Sequence, residues 1–162
     1  NKITPNNLFS GVEIVNNKSK IVVSSQDKTY IINLDTGLIE RKWNFSSLIR
    51  PIIINQYIFF VTRNNLLITI DMRKNKIIYS YNINEKIADF LDTEKKNLAF
   101  LSLRIVEDHI VIFLKNSYVL DFEVDGKLDK IYKLPGKIKT EPLYIDSSLL
   151  FLNKKKQLII LN

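Results

Sequence analysis

The chain has 162 residues, of which 46% are hydrophobic and 25% are charged, a balance typical of a folded globular protein. It contains no cysteine, which excludes disulfides, thiolate nucleophiles and cysteine-ligated metal sites. The net charge of +7 is spread along the chain, and no apolar run reaches the ~20 residues that a membrane-spanning helix needs.

The first module, residues 8–46, contains three short runs rich in Ile, Val and Tyr, separated by polar turns. Such runs, bounded by Asn, Asp, Lys and Ser, indicate β-strands in hairpins rather than helices. The third run ends in "LDTG", where Asp35 is expected to bond the turn amides and Gly37 to adopt a positive φ, with Thr36 between them. A fourth strand follows and ends at Trp43, whose ring is expected to clamp this sheet onto the next.

The second module, residues 47–82, repeats this order of strands and turns in "PIIINQYIFFVTRNNLLITID" and the residues after it. Asp71 falls in the turn that precedes the fourth strand, comparable to the turn at Asp35. Tyr79 falls in the fourth strand, and the sequence predicts that it occupies the place of Trp43.

An insertion, residues 83–97, follows the second module and has a different pattern. Ile87, Phe90 and Leu91 would share one face of a helix of one or two turns, with charged residues on the remaining surface. Because loops on a rigid scaffold often carry recognition, these three residues are the first candidates for a partner contact. The alternative is a linker that only caps the edge of a sheet.

The third and fourth modules, residues 98–135 and 138–162, return to the strand pattern. Gly126 marks the turn before the fourth strand of the third module, and Tyr132 lies in that strand at the place predicted for Trp43 and Tyr79. Residues 142–162 match residues 51–71 without a gap. Antiparallel sheets of four strands, repeated in this way, are typical of β-propeller blades. We therefore predict an all-β propeller domain over residues 1–162 with about four blades.

The segment "IVVSSQDKTYIINLDTGLIERKW" resembles the PQQ-like repeat, which occurs in quinoprotein dehydrogenases and in the BamB-type lipoproteins of outer-membrane assembly. The first module carries the matching Leu, Asp, Thr, Gly and Trp, whereas later modules replace Trp with Tyr and lose the Thr-Gly pair. Such propellers usually close seven or eight blades, so the resemblance implies that the chain is part of a larger propeller. A start at Asn1 without Met likewise predicts a mature product or a piece of a longer chain.

The resemblance implies a non-enzymatic, protein-binding scaffold. Its most concrete form is a BamB-like component that assists the assembly of outer-membrane β-barrel proteins in the periplasm, within a parent chain anchored to the outer membrane by a lipid. Partners would bind the loops or add a strand to an exposed sheet edge. Open edges also predict that two copies of the chain pair with each other.

The alternative is a fragment of a PQQ-dependent quinoprotein dehydrogenase. Members of that branch hold the quinone with an Asp base, calcium ligands and commonly a vicinal disulfide, and this chain has no cysteine. We therefore predict no catalytic residue and no cofactor within the chain.

The sequence predicts neither a metal site nor a nucleic-acid site. The single histidine, His109, follows Glu107 and Asp108 in a turn, and these three neighbours would need further ligands to hold a metal, so no metal site is predicted. Nucleic-acid binding is not expected, because the aromatic residues lie within the strand runs and not between exposed cations.

Overall fold

The computed structural model describes residues 11–25, 27–91 and 98–161, without the side chain of Leu91. The chain divides into two compact units, Asn1–Ile83 and Asn84–Asn162. Within the described residues, no helix is both long and apolar enough to cross a membrane.

The first unit contains two antiparallel sheets, and in each of them the four strands follow one another in chain order. Sheet 1 consists of β1 (Val15–Asn16), β2 (Lys20–Ser24), β3 (Thr29–Asn33) and β4 (Ile39–Trp43). Sheet 2 consists of β5 (Ile52–Ile54), β6 (Tyr57–Val61), β7 (Leu66–Asp71) and β8 (Lys76–Asn82). This order of consecutive antiparallel strands is the one the hairpin pattern predicts.

The second unit repeats this arrangement after a helix. The helix α1 (Ile83–Leu91) confirms the predicted helical turns of the insertion. Sheet 3 consists of β9 (Phe100–Val106), β10 (His109–Leu114), β11 (Tyr118–Glu123) and β12 (Leu128–Lys133). Sheet 4 has three strands within the described residues, β13 (Leu143–Ile145), β14 (Ser148–Leu152) and β15 (Leu158–Leu161). The prediction of an all-β fold built from antiparallel blade-like sheets is confirmed.

The fourth strand of each four-stranded sheet carries a β-bulge at the same place. In each of these strands one residue has no partner on the neighbouring strand: Glu40 in β4, Ile78 in β8 and Asp129 in β12. A bulge bends its strand and changes the direction of nearby side chains. Positions in the three sheets can therefore be matched by counting from the bulge.

One hydrophobic core joins the two sheets of each unit. In the first unit Val22 and Ile31 of sheet 1 pack with Ile58, Phe60 and Ile70 of sheet 2. In the second unit a separate core contains the residues Val111, Phe113, Val119, Leu134, Ile138, Leu149 and Phe151. The central strands supply most of the core in both units, because alternate residues along a strand point to the same face of its sheet.

In each unit a short backbone bridge links the two sheets beside their shared core, and we call this contact between the two sheets the joint of the unit. Ser47, in the connection after β4, bridges Thr62 at the end of β6, and Ile138, after β12, bridges Asn153 at the end of β14. Each residue of the second bridge lies 91 positions after its counterpart in the first, at 47 and 138 and at 62 and 153. The same spacing separates Pro51 from Pro142, so the repeat seen in the sequence is also a repeat of backbone contacts.

Candidate functional site

The predicted turn at residues 35–37 forms, but a different side chain organises it. Gly37 has a φ of 68°, as the turn requires. The amides of Asp35 and Thr36 donate to Oδ1 of Asn33, at 3.0 and 2.9 Å. The expectation that Asp35 bonds the turn amides is therefore wrong, because the acceptor must precede the turn in order to face its amides.

Asp71 has the role that the sequence assigned to Asp35. Its Oδ1 accepts hydrogen bonds from the amides of Arg73 and Lys74, at 2.8 and 3.0 Å. Asp71 therefore corresponds to Asn33 and not to Asp35. Gly126, with a φ of 89°, lies in the third such turn. The amide of Gly126 closes this turn by donating a hydrogen bond to the carbonyl of Glu123.

The aromatic residues of the fourth strands are matched differently from the sequence prediction. Trp43 and Tyr132 each lie three residues after the bulge, and in β8 this position is Tyr81. Tyr79 lies one residue after its bulge and stacks on Tyr81, with ring centroids 5.1 Å apart. The match of Tyr79 with Trp43 is therefore wrong, because it counts from Asp71 as the equivalent of Asp35, whereas the strand register makes Asp71 the equivalent of Asn33.

Trp43 packs at the joint of the first unit. Its half-buried ring contacts the core that sheets 1 and 2 share. The ring lies 6.2 Å from that of Phe45, between centroids, and the guanidinium of Arg41 covers it at 5.1 Å. Among the described residues, no acceptor meets the buried indole Nε1.

The helix α1 exposes an apolar side chain from the set predicted to contact a partner. Ile83 begins the helix and is fully buried, and Ile87, one turn later, is partly exposed. Phe90 is 49% exposed, more than any other phenylalanine that the structure describes. The side chain of Leu91 and residues 92–97 lie outside the described residues, and the whole predicted contact with a partner stays a prediction.

A polar cluster in sheet 3 brings together residues that are distant in sequence. Nδ1 of His109 lies 2.7 Å from Oδ1 of Asp121. Asp129, the bulged residue of β12, completes a set of three side chains whose ligand atoms all lie within 4.8 Å of one another. Sequence reasoning paired His109 with its neighbours Glu107 and Asp108 instead, because the spacing of residues along a chain does not reveal partners on adjacent strands.

Two tyrosines lie beside this cluster. Tyr132 of β12 and Tyr144 of β13 are hydrogen bonded through their hydroxyls. Burial raises the pKa of Tyr132, and Tyr144 and the carboxylate of Asp121 raise it further. Burial also raises the pKa of Tyr144. Both hydroxyls are therefore neutral hydrogen-bonding groups at physiological pH.

Sheet 1 holds a simpler group at the matching three positions. Counted from the bulge and along the strand register, Lys20 corresponds to His109, Ile31 to Asp121 and Glu40 to Asp129. Nζ of Lys20 donates to Oε2 of Glu40 at 2.7 Å, and this hydrogen bond lowers the pKa of Glu40. Sheet 1 therefore has one ion pair beside a buried Ile, where sheet 3 has an imidazole and two carboxylates.

The first unit also contains a polar cleft of about 510 Å³. Cationic and amide side chains such as Lys18, Asn55, Gln56 and Arg73 line it. Nζ of Lys20, which also lines it, is already bound to Glu40 and to the carbonyl of Met72. This lining is mostly polar, with Ile53 and Met72 as its apolar members, whereas sites for small organic ligands are lined mainly by apolar side chains.

Several solved structures resemble this chain. The crystal structure of BamB from Moraxella catarrhalis matches 93% of the chain with a TM-score of 0.57 and 9% sequence identity. The computationally designed protein Ika4 matches 91% of it with a TM-score of 0.66 and 9% identity, over 88% of the Ika4 chain. Hsv2 from Kluyveromyces lactis matches 85% of it with a TM-score of 0.52 and 17% identity. The fold is that of a β-propeller.

The matches cover only part of the BamB and Hsv2 chains. The chain spans 57% of the BamB chain and 39% of the Hsv2 chain. No protein-family model and no curated protein matches the sequence. The likeness therefore concerns the architecture of the sheets.

Proposed function

We propose that the chain is part of a non-enzymatic propeller scaffold that binds other proteins, and that its role is BamB-like, in the assembly of outer-membrane β-barrel proteins in the periplasm. The propeller fold and its likeness to BamB support the scaffold. The PQQ-like resemblance of the first module supports the BamB-like role. On this proposal the chain belongs to a larger propeller of seven or eight blades.

The exposed Phe90 carries the proposal that α1 contacts a partner. An aromatic side chain that is half exposed gains free energy when a partner covers it, and such residues are common at the centres of protein interfaces. The helix begins at the buried Ile83, whose amide donates to the carbonyl of Asn65 at 2.9 Å, and Phe90 lies in its last turn. The apolar side chain is thus presented from a regular helix, which also carries the charged Glu85, Lys86 and Asp89.

Binding of an unfolded outer-membrane β-barrel protein tests this function. Purified chain is titrated into a fluorescently labelled β-barrel protein diluted from urea, and the dissociation constant is measured for the wild-type protein and for Phe90→Ser. We expect the variant to bind at least about tenfold more weakly, as for the loss of an interface anchor. Ile78→Ser is the matched control, since Ile78 is an apolar residue of similar exposure, 51%, that lies in the strand β8 and not in the helix.

Three outcomes separate the parts of the proposal. Binding by the wild-type protein that only Phe90→Ser weakens supports both the function and the helix as its contact. Binding that neither variant changes supports the scaffold and removes α1 from it. A wild-type protein that does not bind, but acquires the absorption of added quinone in the presence of calcium, would instead favour the quinoprotein alternative.

Pairing of two copies stays a prediction. One face of sheet 4 exposes apolar side chains from all three strands, including Leu143, Ile145, Leu158 and Ile160. This is the surface that such a pair would bury.

A further inference from the structure

Three adjacent strands of sheet 3 bring metal-ligating side chains to one place. His109 is the first residue of β10, Asp121 lies within β11 and Asp129 is the bulged residue of β12. The exposed fractions of their side chains are 38%, 16% and 32%, so the group is open to solvent but held on ordered strands.

The strand register explains why the three side chains converge. In the pairing of β10 with β11, His109 lies opposite Glu123 and Val111 lies opposite Asp121, so His109 and Asp121 are diagonal neighbours. In the pairing of β11 with β12, Asp121 lies opposite Lys130 and the next pair is Phe122 with Leu128. The extra residue, Asp129, is placed beside Asp121 by this bulge, and bulges often redirect a side chain at a functional site.

The two carboxylates of the cluster would attract a cation. In sheet 1 the ammonium of Lys20 balances the single carboxylate of Glu40. In sheet 3 two carboxylates meet one imidazole, and Nζ of Lys130 reaches Asp129 at 3.2 Å. Two carboxylates at this separation repel each other, and the imidazole of His109 is the partner of Asp121. A cation between them would relieve the repulsion.

We propose that His109, Asp121 and Asp129 bind a divalent transition-metal ion, and that Zn²⁺ fits the donors best. One imidazole nitrogen with two carboxylate oxygens is a donor set that suits Zn²⁺, whereas Ca²⁺ and Mg²⁺ prefer oxygen donors alone. Ligand atoms of a tetrahedral zinc ion lie about 3.3 Å apart, given metal–ligand bonds of about 2.0–2.2 Å. The three ligand atoms already lie within 4.8 Å of one another, and side-chain rotation would have to bring them to this distance.

Binding replaces the present hydrogen bond between His109 and Asp121. The imidazole binds the metal through Nδ1 and keeps its proton on Nε2, and each carboxylate supplies one oxygen. The fourth coordination position faces solvent and takes a water molecule. The metal would tie β10, β11 and β12 together at the end of sheet 3, independently of the helix contact proposed above.

Calorimetric titration of the untagged protein with Zn²⁺ tests the site. We expect saturable binding of one ion per chain, and at least about tenfold weaker binding in each of His109→Gln, Asp121→Asn and Asp129→Asn. Glu107→Gln and Asp108→Asn are the matched controls, because they remove acidic groups from the turn beside His109 without touching the cluster. Both controls should bind as the wild-type protein does.

The spectrum of bound Co²⁺ provides a second readout that does not depend on affinity. Wild-type protein should give the intense visible bands of a four-coordinate ion, and Asp129→Asn, a change at a partly exposed bulge, should lose them. The proposal is overturned if Zn²⁺ fails to bind saturably, or if the controls weaken binding as much as the three cluster variants do. It is also overturned if all five variants bind as the wild-type protein does, since the ion is then held elsewhere on the surface.

Discussion

Within each unit, the contact between its two sheets has the same backbone bridge but different side chains around it. In each unit a residue of the connection between sheets donates its amide to a buried serine hydroxyl, Ser47 to Ser24 at 2.7 Å and Ile138 to Ser117 at 3.0 Å. The two serines are not repeat equivalents, since Ser24 ends β2 and Ser117 lies in the turn after β10. Both units thus keep a serine acceptor for this amide, but the serine comes from a different position in the sheet.

The other hydrogen bonds that Ser24 and Ser117 make also differ. In the first unit the hydroxyl of Thr29 donates to the carbonyl of Phe45, so Ser24 donates to Thr29 and the three groups form one chain from Ser47 to Phe45. In the second unit the backbone of Ser117 is used, because its carbonyl accepts from the amide of Leu134 at 2.9 Å. A buried amide must find an acceptor, but the fold leaves open which residue provides it.

The aromatic residues at the two joints should give the largest difference. Truncating a fully buried Trp costs about 3–5 kcal/mol, and for the half-buried Trp43 we expect Trp43→Ala to lower the free energy of unfolding by roughly 2–4 kcal/mol. Tyr132, at the matching position in sheet 3, is 37% exposed, so Tyr132→Ala should cost only about 1–2 kcal/mol. Chemical denaturation of both variants, with Trp43→Phe as the control that keeps an apolar ring, measures the difference. Equal losses would show that the two positions are energetically equivalent.

The serine bonds should give an intermediate and similar effect in both units. Ser24→Ala and Ser117→Ala each leave a buried amide without its acceptor, which costs about 1–3 kcal/mol. Ser102 is the control, because its buried hydroxyl has no partner among the described residues and Ser102→Ala should be close to neutral. If thermal unfolding shows that Ser102→Ala costs as much as the other two, packing and not the hydrogen bond explains their effect.

The ion pair of sheet 1 should have the smallest effect, and it should depend on pH. The hydrogen bond from Lys20 lowers the pKa of Glu40, so the pair stabilises the fold above the ordinary carboxyl pKa and this contribution is lost as the pH falls through the lowered value. Because the pair is partly exposed, Glu40→Gln should cost less than about 1 kcal/mol at neutral pH. Urea unfolding from neutral to acid pH should show the two proteins converging, and a gap that widens in acid would contradict this assignment.

Local pattern was enough to predict the strands, the positions of the turns and the helix. Strand residues alternate between two faces and turns require residues such as Gly37, so both features are visible within a few residues of sequence. The match of residues 51–71 with 142–162 also predicted the repeat that the bridges at Ser47 and Ile138 display. Fragments far apart in the chain have similar patterns because they meet the same local requirements.

The partners of individual side chains came from the tertiary structure alone. The register of β7 with β8 decides that Tyr81 and not Tyr79 matches Trp43, and the pairing of β10, β11 and β12 decides that His109 meets Asp121 and Asp129. A bulge is one extra residue in the pairing of two strands, and no alternation within a single strand reveals it. The sequence by itself determined which residues form strands and turns, whereas cross-strand register, set by packing over long distances in the chain, determined which of them meet.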